Sequence, residues 1–306
     1  FTSNGDQDVT IQTGNSTTGS ITITDGANGN IAIAPNGTGA IQLDGLSWPT
    51  ADGSANQVLK TDGSGTLSWT AASSGASNVN GLSDALIEDN SLYLGQDPSS
   101  TTSTAEYNLS VGATALDAVT TGDANIAIGH DALSANTTGS GNLAIGYGAY
   151  DNADTEGNNM AIGRDALGGS INGGETNIAI GNYSLDANTS GDLNIGLGYV
   201  ALTQNSTGSS NVGIGNSAMQ LNQTGSSNTT LGNNSMKSSL SSSYNTAVGA
   251  EALFDANRTA DTDGYNTALG YNAGNTGTND ITTGNKNTLL GASTAASAAA
   301  GTNQTI

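Results

Sequence analysis

Aliphatic residues occur along this chain singly or in short alternating runs, and from Asn108 onward they fall into one recurring phrase: Asn, two variable small or apolar residues, an aliphatic residue, then Gly. The Asn positions are 108, 125, 142, 159, 177, 194, 211, 228, 245, 266 and 287, spaced mostly by 17 residues, with one step of 18 and two final steps of 21. Clear copies are Asn125-Ile-Ala-Ile-Gly129, Asn142-Leu-Ala-Ile-Gly146 and Asn177-Ile-Ala-Ile-Gly181, whose Asn and Gly are read as repeat-turn residues. So short and regular a period predicts a stacked solenoid in which each unit touches only its neighbours.

Counting Asn as zero, position +3 is aliphatic in every copy: Val111, Ile128, Ile145, Ile162, Ile180, Leu197, Ile214, Leu231, Val248, Leu269 and Leu290. This constancy predicts a dry core column running along the rod. Position +2 is small, except for Leu289. Neighbours in a strand point to opposite faces, so +2 is expected to face another chain, with Ala127, Ala144, Ala161 and Ala179 at the interface. Position +4 is always Gly, as expected where φ is positive or where a side chain would collide with the next coil. Beyond it lie pairs such as Ala132-Leu133, Ala166-Leu167 and Ala218-Met219, which suggest a second strand per coil, and turns such as Asn136-Thr-Thr-Gly139 and Asn205-Ser-Thr-Gly208.

Residues 1–47 carry a shorter rhythm. Val9-Thr-Ile11, Ile21-Thr-Ile23, Ile31-Ala-Ile33 and Ile41-Gln-Leu43 alternate between turn residues such as Asp25-Gly26 and Pro35-Asn-Gly37, and predict a stem of short strands. Residues 48–70 read as a small β-hairpin module with Trp48 and Trp69 as packing residues. Residues 71–107 read as a linker and lead-in strand, with Gly81–Glu88 open to either a helical turn or a strand, and Ser91-Leu-Tyr-Leu-Gly95 leading into the repeats. The β-roll is expected over 108–295 and a C-terminal tail over 296–306.

A 17-residue coil with two or three apolar side chains gains about 5 kcal/mol at roughly 1.5–3 kcal/mol per side chain. Ordering its backbone costs roughly 1–2 kcal/mol per residue. Backbone ladders and association must therefore make up the difference. Composition agrees with a thin rod: 35% of the residues are hydrophobic and 4% aromatic. The net charge of −21 argues against nucleic acid and against anionic membrane surfaces. No cysteine is present, and no apolar stretch reaches the roughly 18–20 residues of a membrane span. The first residue, Phe1, suggests a fragment or processed product.

Catalytic chemistry finds little purchase. His130 is the only histidine and follows Gly129 at a position held elsewhere by Tyr147, Arg164, Asn182 and Tyr199, which reads as an exposed rim. No triad, paired-carboxylate site, metal site or cofactor is expected. Asp261-Thr-Asp263-Gly264 departs from a calcium loop in its early Gly and in Asn272 at the twelfth position. Tyr147, Tyr199 and Tyr271 share one site after the repeat Gly and are candidate glycan contacts, weighed against simple packing between coils. The loops of the longer last coils, near Arg258–Asp263 and Gly274–Asp280, are expected on the outside.

The Asn-x-Ala-Ile-Gly pattern resembles the left-handed β-roll head repeats of trimeric autotransporter adhesins, and more closely the variants in bacteriophage tail fibres. The stretch from Leu43-Asp-Gly-Leu-Ser-Trp48 through Thr61-Asp-Gly-Ser-Gly-Thr-Leu-Ser-Trp69 resembles a tail-fibre stem module. The resemblance implies an all-β, elongated homotrimeric fibre with a stem and a roll of about eleven coils. It departs in its longer spacing and in lacking an anchoring coiled coil and membrane barrel. The resulting expectation is a structural, adhesive tail-fibre shaft on a virion or cell surface, whose partners are its own copies and a host glycan or protein receptor. A bacterial trimeric surface adhesin or extracellular filament is the alternative, and a polysaccharide-cleaving tailspike the third.

Overall fold

The computed structural model describes residues 9–12, 20–23, 31–34, 42–43, 46–72, 85–95, 104–152, 154–169, 172–256, 264–277, 281–297 and 302–306. They are all-β, without a helix, and the chain divides into two compact units, Phe1–Gly75 and Ala76–Ile306. The turns at Asp25-Gly26 and Pro35–Gly37, the loop Arg258–Asp263 and most of the expected linker lie outside the described residues.

In the first unit β1 (Val9–Gln12), β2 (Ser20–Ile23) and β3 (Ile31–Ala34) form an antiparallel sheet, and β4 (Gln42–Leu43) pairs with β5 (Leu46–Ser47). Antiparallel β6 (Gln57–Thr61) and β7 (Leu67–Ala71) place Leu59 opposite Trp69. The Trp69 indole N–H donates to the Ala51 carbonyl at 2.8 Å, and a Cβ on Gly53 would stand 2.7 Å from its ring. Gly53 is therefore required where the loop crosses the indole. Asp62 closes the hairpin by accepting from the Ser64 and Thr66 amides at 2.7 and 3.0 Å.

The second unit is a parallel β-solenoid. One three-residue strand per coil, β10 (Leu109–Val111) through β20 (Thr288–Leu290), pairs in parallel with the next, always in the same register. The ladder also includes β9 (Ser91–Leu94), where Ser91 occupies the Asn position, and antiparallel β8 (Ala85–Glu88) closes that edge. Beyond β20, Thr305 bridges Thr288 and the Gln304 amide donates to Asn287 Oδ1 at 3.0 Å. Residues 304–306 thus continue the coil pattern rather than forming a separate tail.

The interior is organised by the repeat Asn, which is at most 2% exposed in all eleven copies. Its side-chain oxygen accepts the backbone N–H of the next repeat Asn at 2.8–3.1 Å, from Asn108 through Asn287. Among the described residues, in nine of the eleven copies its Nδ2 donates to a turn carbonyl of its own coil, as from Asn125 to Gly139 at 2.9 Å and from Asn211 to Gly225 at 2.7 Å. Read as a turn residue from sequence, this Asn is a core residue: it joins the strand of one coil to that of the next and ties down its own last turn. The ladder passes through the 18- and 21-residue steps unbroken, so insertions are absorbed outside it.

The two faces of the strand are the reverse of the sequence expectation. Position +2 points inward: Ala127, Ala144, Ala161 and Ala179 are completely buried within their own chain and do not form an outer interface. Position +3 points outward: Val111, Leu197, Leu231, Leu269 and Leu290 are 36–65% exposed, while Ile128, Ile145, Ile162, Ile180, Ile214 and Val248 are half-buried. The reason is thickness. A Cβ on Gly196 would lie 2.5 Å from Ser184 Oγ, and one on Gly213 would lie 3.1 Å from Leu202 Cδ1, so the wall opposite the strand leaves room only for a small residue. That wall is the small-then-Leu/Met pair, in which Leu133, Leu167, Leu202 and Met236 are fully buried.

This second apolar point is a turn and not the second strand expected. Leu116, Leu133, Leu167, Leu185, Leu202 and Leu253 have φ of 49–56°, a left-handed conformation costing a non-glycine residue roughly 1–2 kcal/mol. Burial of the side chain, about 2 kcal/mol, offsets this, and cross-coil bonds such as Leu133 N–H to Ala149 O at 3.1 Å satisfy the backbone. The repeat Gly serves both anticipated purposes. Its φ is 126–149° in all eleven copies, and a Cβ on Gly146 would meet the Gly163 carbonyl at 2.4 Å. Where Leu289 replaces the small +2 residue, the inner Leu of the preceding coil is replaced by Gly274, so volume is exchanged across the interior.

A second Asn stack lies at the far turn. Asn205 Nδ2 donates to Asn188 Oδ1 and Asn222 Nδ2 to Asn205 Oδ1, at 3.1 and 2.7 Å. In the next coil the position is Ser239, fully buried, and both its Oγ and Asn222 Oδ1 lack a hydrogen-bond partner. Ser239→Asn is expected to supply the missing donor and raise the thermal midpoint by a few degrees, whereas Asn205→Ala should cost about 1–3 kcal/mol in denaturant titration. Unchanged midpoints in both variants would refute the ladder energetics.

Candidate functional surface

Outward-pointing positions +1 and +3 give the roll one continuous face. In the first seven copies both are aliphatic or Met: Leu109, Ile126, Leu143, Met160, Ile178, Ile195 and Val212 occupy +1. Across all eleven copies neither position carries a charge, on a chain of net charge −21. The in-register parallel ladder turns these residues into two adjacent columns along the roll.

The rim beside this face carries exposed aromatic residues. Tyr147 stacks on His130 at 5.4 Å and 14°, and the Arg164 guanidinium lies 5.5 Å from the same ring. Because His130, Tyr147 and Arg164 come from three successive coils, the Tyr147 ring, though 53% exposed, is flanked by side chains that compete with a sugar for its faces. Tyr199 makes an edge contact with Tyr183 at 6.3 Å. Tyr271, 58% exposed, has Ala250 and Ala292 at the same position in the coils on either side. Of the three candidate glycan contacts, it alone is flanked by small residues.

His130 is exposed and its Nδ1 lies 2.7 Å from Asp131 Oδ2. Among the described residues no group of three or more His, Cys, Asp or Glu could hold a metal ion, and no helix is long and apolar enough to cross a membrane. The Asp261–Asp263 motif lies outside the described residues.

Asp117, Asp131, Asp151, Asp165 and Asp186 supply one carboxylate to each of five successive coils, alternating between two rim positions. Gly148 leaves space for two of them: its Cβ would lie 2.6 Å from Asp165 Oδ1 and 3.6 Å from Asp151 Oδ2. Burial raises the Asp117, Asp151 and Asp186 carboxyls above the ordinary carboxylate range, and neighbouring Asp131 or Asp165 adds to the rise. Deeper in the same coils, burial pushes the Tyr150 phenol well above its usual range, reinforced by the charge of Glu156. Glu156, 5% exposed, accepts the Gly173 amide of the next coil at 2.9 Å. It occupies a turn position where most coils have Gly and sequence reading gave it no role. Its signal was the break in that Gly column.

Comparison of the chain with family models, curated proteins and solved structures finds no match.

The carboxyl shifts predict opposite pH responses in the two units. A carboxyl raised in the folded state contributes stability that is fully present below its unfolded value and lost as pH rises through the folded value. The roll should therefore gain thermal stability as pH falls from 7 towards about 4. Asp62 is held below its ordinary value by the Ser64 and Thr66 amides, so its contribution is present at neutral pH and lost on acidification. Both tryptophans lie in the first unit. Tryptophan fluorescence should melt earlier at about pH 2.5, below the ordinary Asp value, than at pH 7, whereas the β-sheet circular dichroism signal of the roll should melt later at about pH 4 than at pH 7. A roll that melts earlier in acid would contradict the carboxylate assignment.

Proposed function

We propose that the protein is the shaft of a structural and adhesive fibre, a bacteriophage tail fibre or a similar virion appendage, built as a left-handed homotrimeric roll that carries host-attachment surfaces and performs no catalysis. The observation that carries this reading is the uncharged aliphatic face of the first seven repeats. A strongly acidic chain repels its own copies, and this face is where they can approach without opposing carboxylates. Covering a half-exposed Ile or Leu is worth about 1 kcal/mol. Fourteen such side chains per chain offer an energy comparable with the roughly 4–15 kcal/mol that association costs. Three copies around a closed axis would bury this face along the fibre. The interface thus uses +1 and +3, while +2 is committed to the chain's own interior.

The bacterial surface adhesin remains the competing reading, because the same face would serve a surface-anchored fibre. Electron microscopy of intact particles with an antibody against residues 108–291 separates them. Labelled virion appendages are expected, and labelling of bacterial surfaces but never of virions would sink the phage assignment. In light scattering the purified chain should have three times the chain mass, 30.1 kDa. Ile145→Asp should reduce it to a folded monomer, whereas Ala144→Trp should prevent the coil from closing at all. A wild-type monomer would remove the trimer from the account.

A further inference from the structure

The outer face changes chemistry partway along the roll. Position +1, aliphatic or Met through Val212, becomes Thr229, Thr246, Thr267 and Thr288, and the bridge to Thr288 adds Thr305 to the same column. The parallel register sets these threonines side by side at about 4.8 Å intervals. Thr267 and Thr288 are exposed, as are Leu269 and Leu290 beside them.

The same coils place tyrosine at both borders of the strand. Tyr265 immediately precedes Asn266, Tyr271 immediately follows Gly270, and they are 47% and 58% exposed. Tyr244 stacks on Tyr265 at 5.0 Å and 8°, forming an aromatic wall along that border. On the other border the alanines at 250 and 292 leave room for a ring beside Tyr271. Among the described residues of these coils, the positions from the one before the repeat Asn to the one after the repeat Gly carry no carboxylate and one charge, Lys286; Glu251 follows the border residue Ala250.

We propose that this distal face, centred on Thr267, Leu269 and Tyr271, binds a neutral glycan chain. A pyranose presents an apolar C–H face and a hydroxyl-bearing edge. Tyr271 and the leucines match the first and the threonine column matches the second, while the acidity of the whole molecule disfavours a polyanionic glycan. Threonine also makes this segment a poorer self-association seam than the aliphatic coils before it, since each hydroxyl must be desolvated without an assured partner. The proposal rests on the host-attachment reading and gives it a chemical class and a location.

The test uses the fluorophore-labelled full chain on an array of neutral hexaoses (malto-, cello-, manno- and galacto-series) beside an acidic oligogalacturonate. Retention on at least one neutral hexaose is expected. Tyr271→Ala should weaken it about tenfold, Thr267→Val should weaken it while preserving the strand, and Tyr147→Ala should leave it unchanged. The proposal is overturned if no neutral hexaose is retained, if only the acidic one is, or if both Tyr271→Ala and Thr267→Val bind as wild type. It is equally overturned if Leu269→Cys cross-links between copies as completely as Ile145→Cys, since a second copy would then cover this face. Neutral-hexaose binding together with antibody labelling of bacterial surfaces alone would keep the site and reject the virion. Labelled virions with no hexaose bound would do the reverse.

Discussion

The column of buried repeat asparagines is the constraint on which the roll depends. Each side-chain oxygen receives the backbone amide of the next coil at the same register, and among the described residues the side-chain nitrogen reaches a turn carbonyl of its own coil in nine of the eleven copies, so one residue type satisfies buried backbone groups on two sides of the coil. An aliphatic residue there would leave a buried amide and a buried carbonyl unpaired, at about 1–3 kcal/mol each. Aspartate has no donor for the carbonyl, and Ser91, which fills the position at the first rung, offers its hydroxyl oxygen to the Asn108 amide at 2.9 Å. A coil this thin cannot be held by apolar burial alone. Its core is half hydrogen-bond ladder and half alanine and leucine.

That thinness also explains what was legible in the sequence and what was not. The period, the phase of the strands and both reasons for the repeat Gly could be read directly, because they follow from local spacing and from the steric demand of coil on coil. The direction of the strand faces could not. Constancy of an aliphatic at +3 looks like a core signature, and a small residue at +2 looks like a contact with another chain. The assignment reverses once the distance to the opposite wall is known, as the clash of a Cβ at Gly196 with Ser184 shows. Asn was misread as a turn residue for a related reason. A turn tolerates Asp, Ser or Gly in exchange, whereas eleven unvaried copies point to a residue whose donor and acceptor are both used. Of the candidate glycan contacts, Tyr147 could be judged only once its neighbours in space, His130 and Arg164, were known.

Inward commitment of the small residues releases the aliphatic ones for the outside, and this links the fold to the proposed fibre. A closed single-chain interior and an uncharged outer face are two consequences of one alternating strand. The carboxylates sit on the rim, where they repel one another and keep the remaining surface apart from its copies. Along the roll the outer face passes from aliphatic to threonine-rich, with exposed tyrosines at the borders of both parts. Holding and recognition are thus assigned to successive parts of one ladder, without any change in the buried Asn column beneath them.

The chain contains no cysteine, so introduced thiols report without background. The most direct test of the account compares Ala144→Cys with Ile145→Cys in the assembled native protein under mild oxidation. Efficient cross-linking between copies at 145, with the thiol at 144 unreactive until the protein is denatured, is the predicted result. Cross-linking through 144 with 145 protected inside each chain would contradict it.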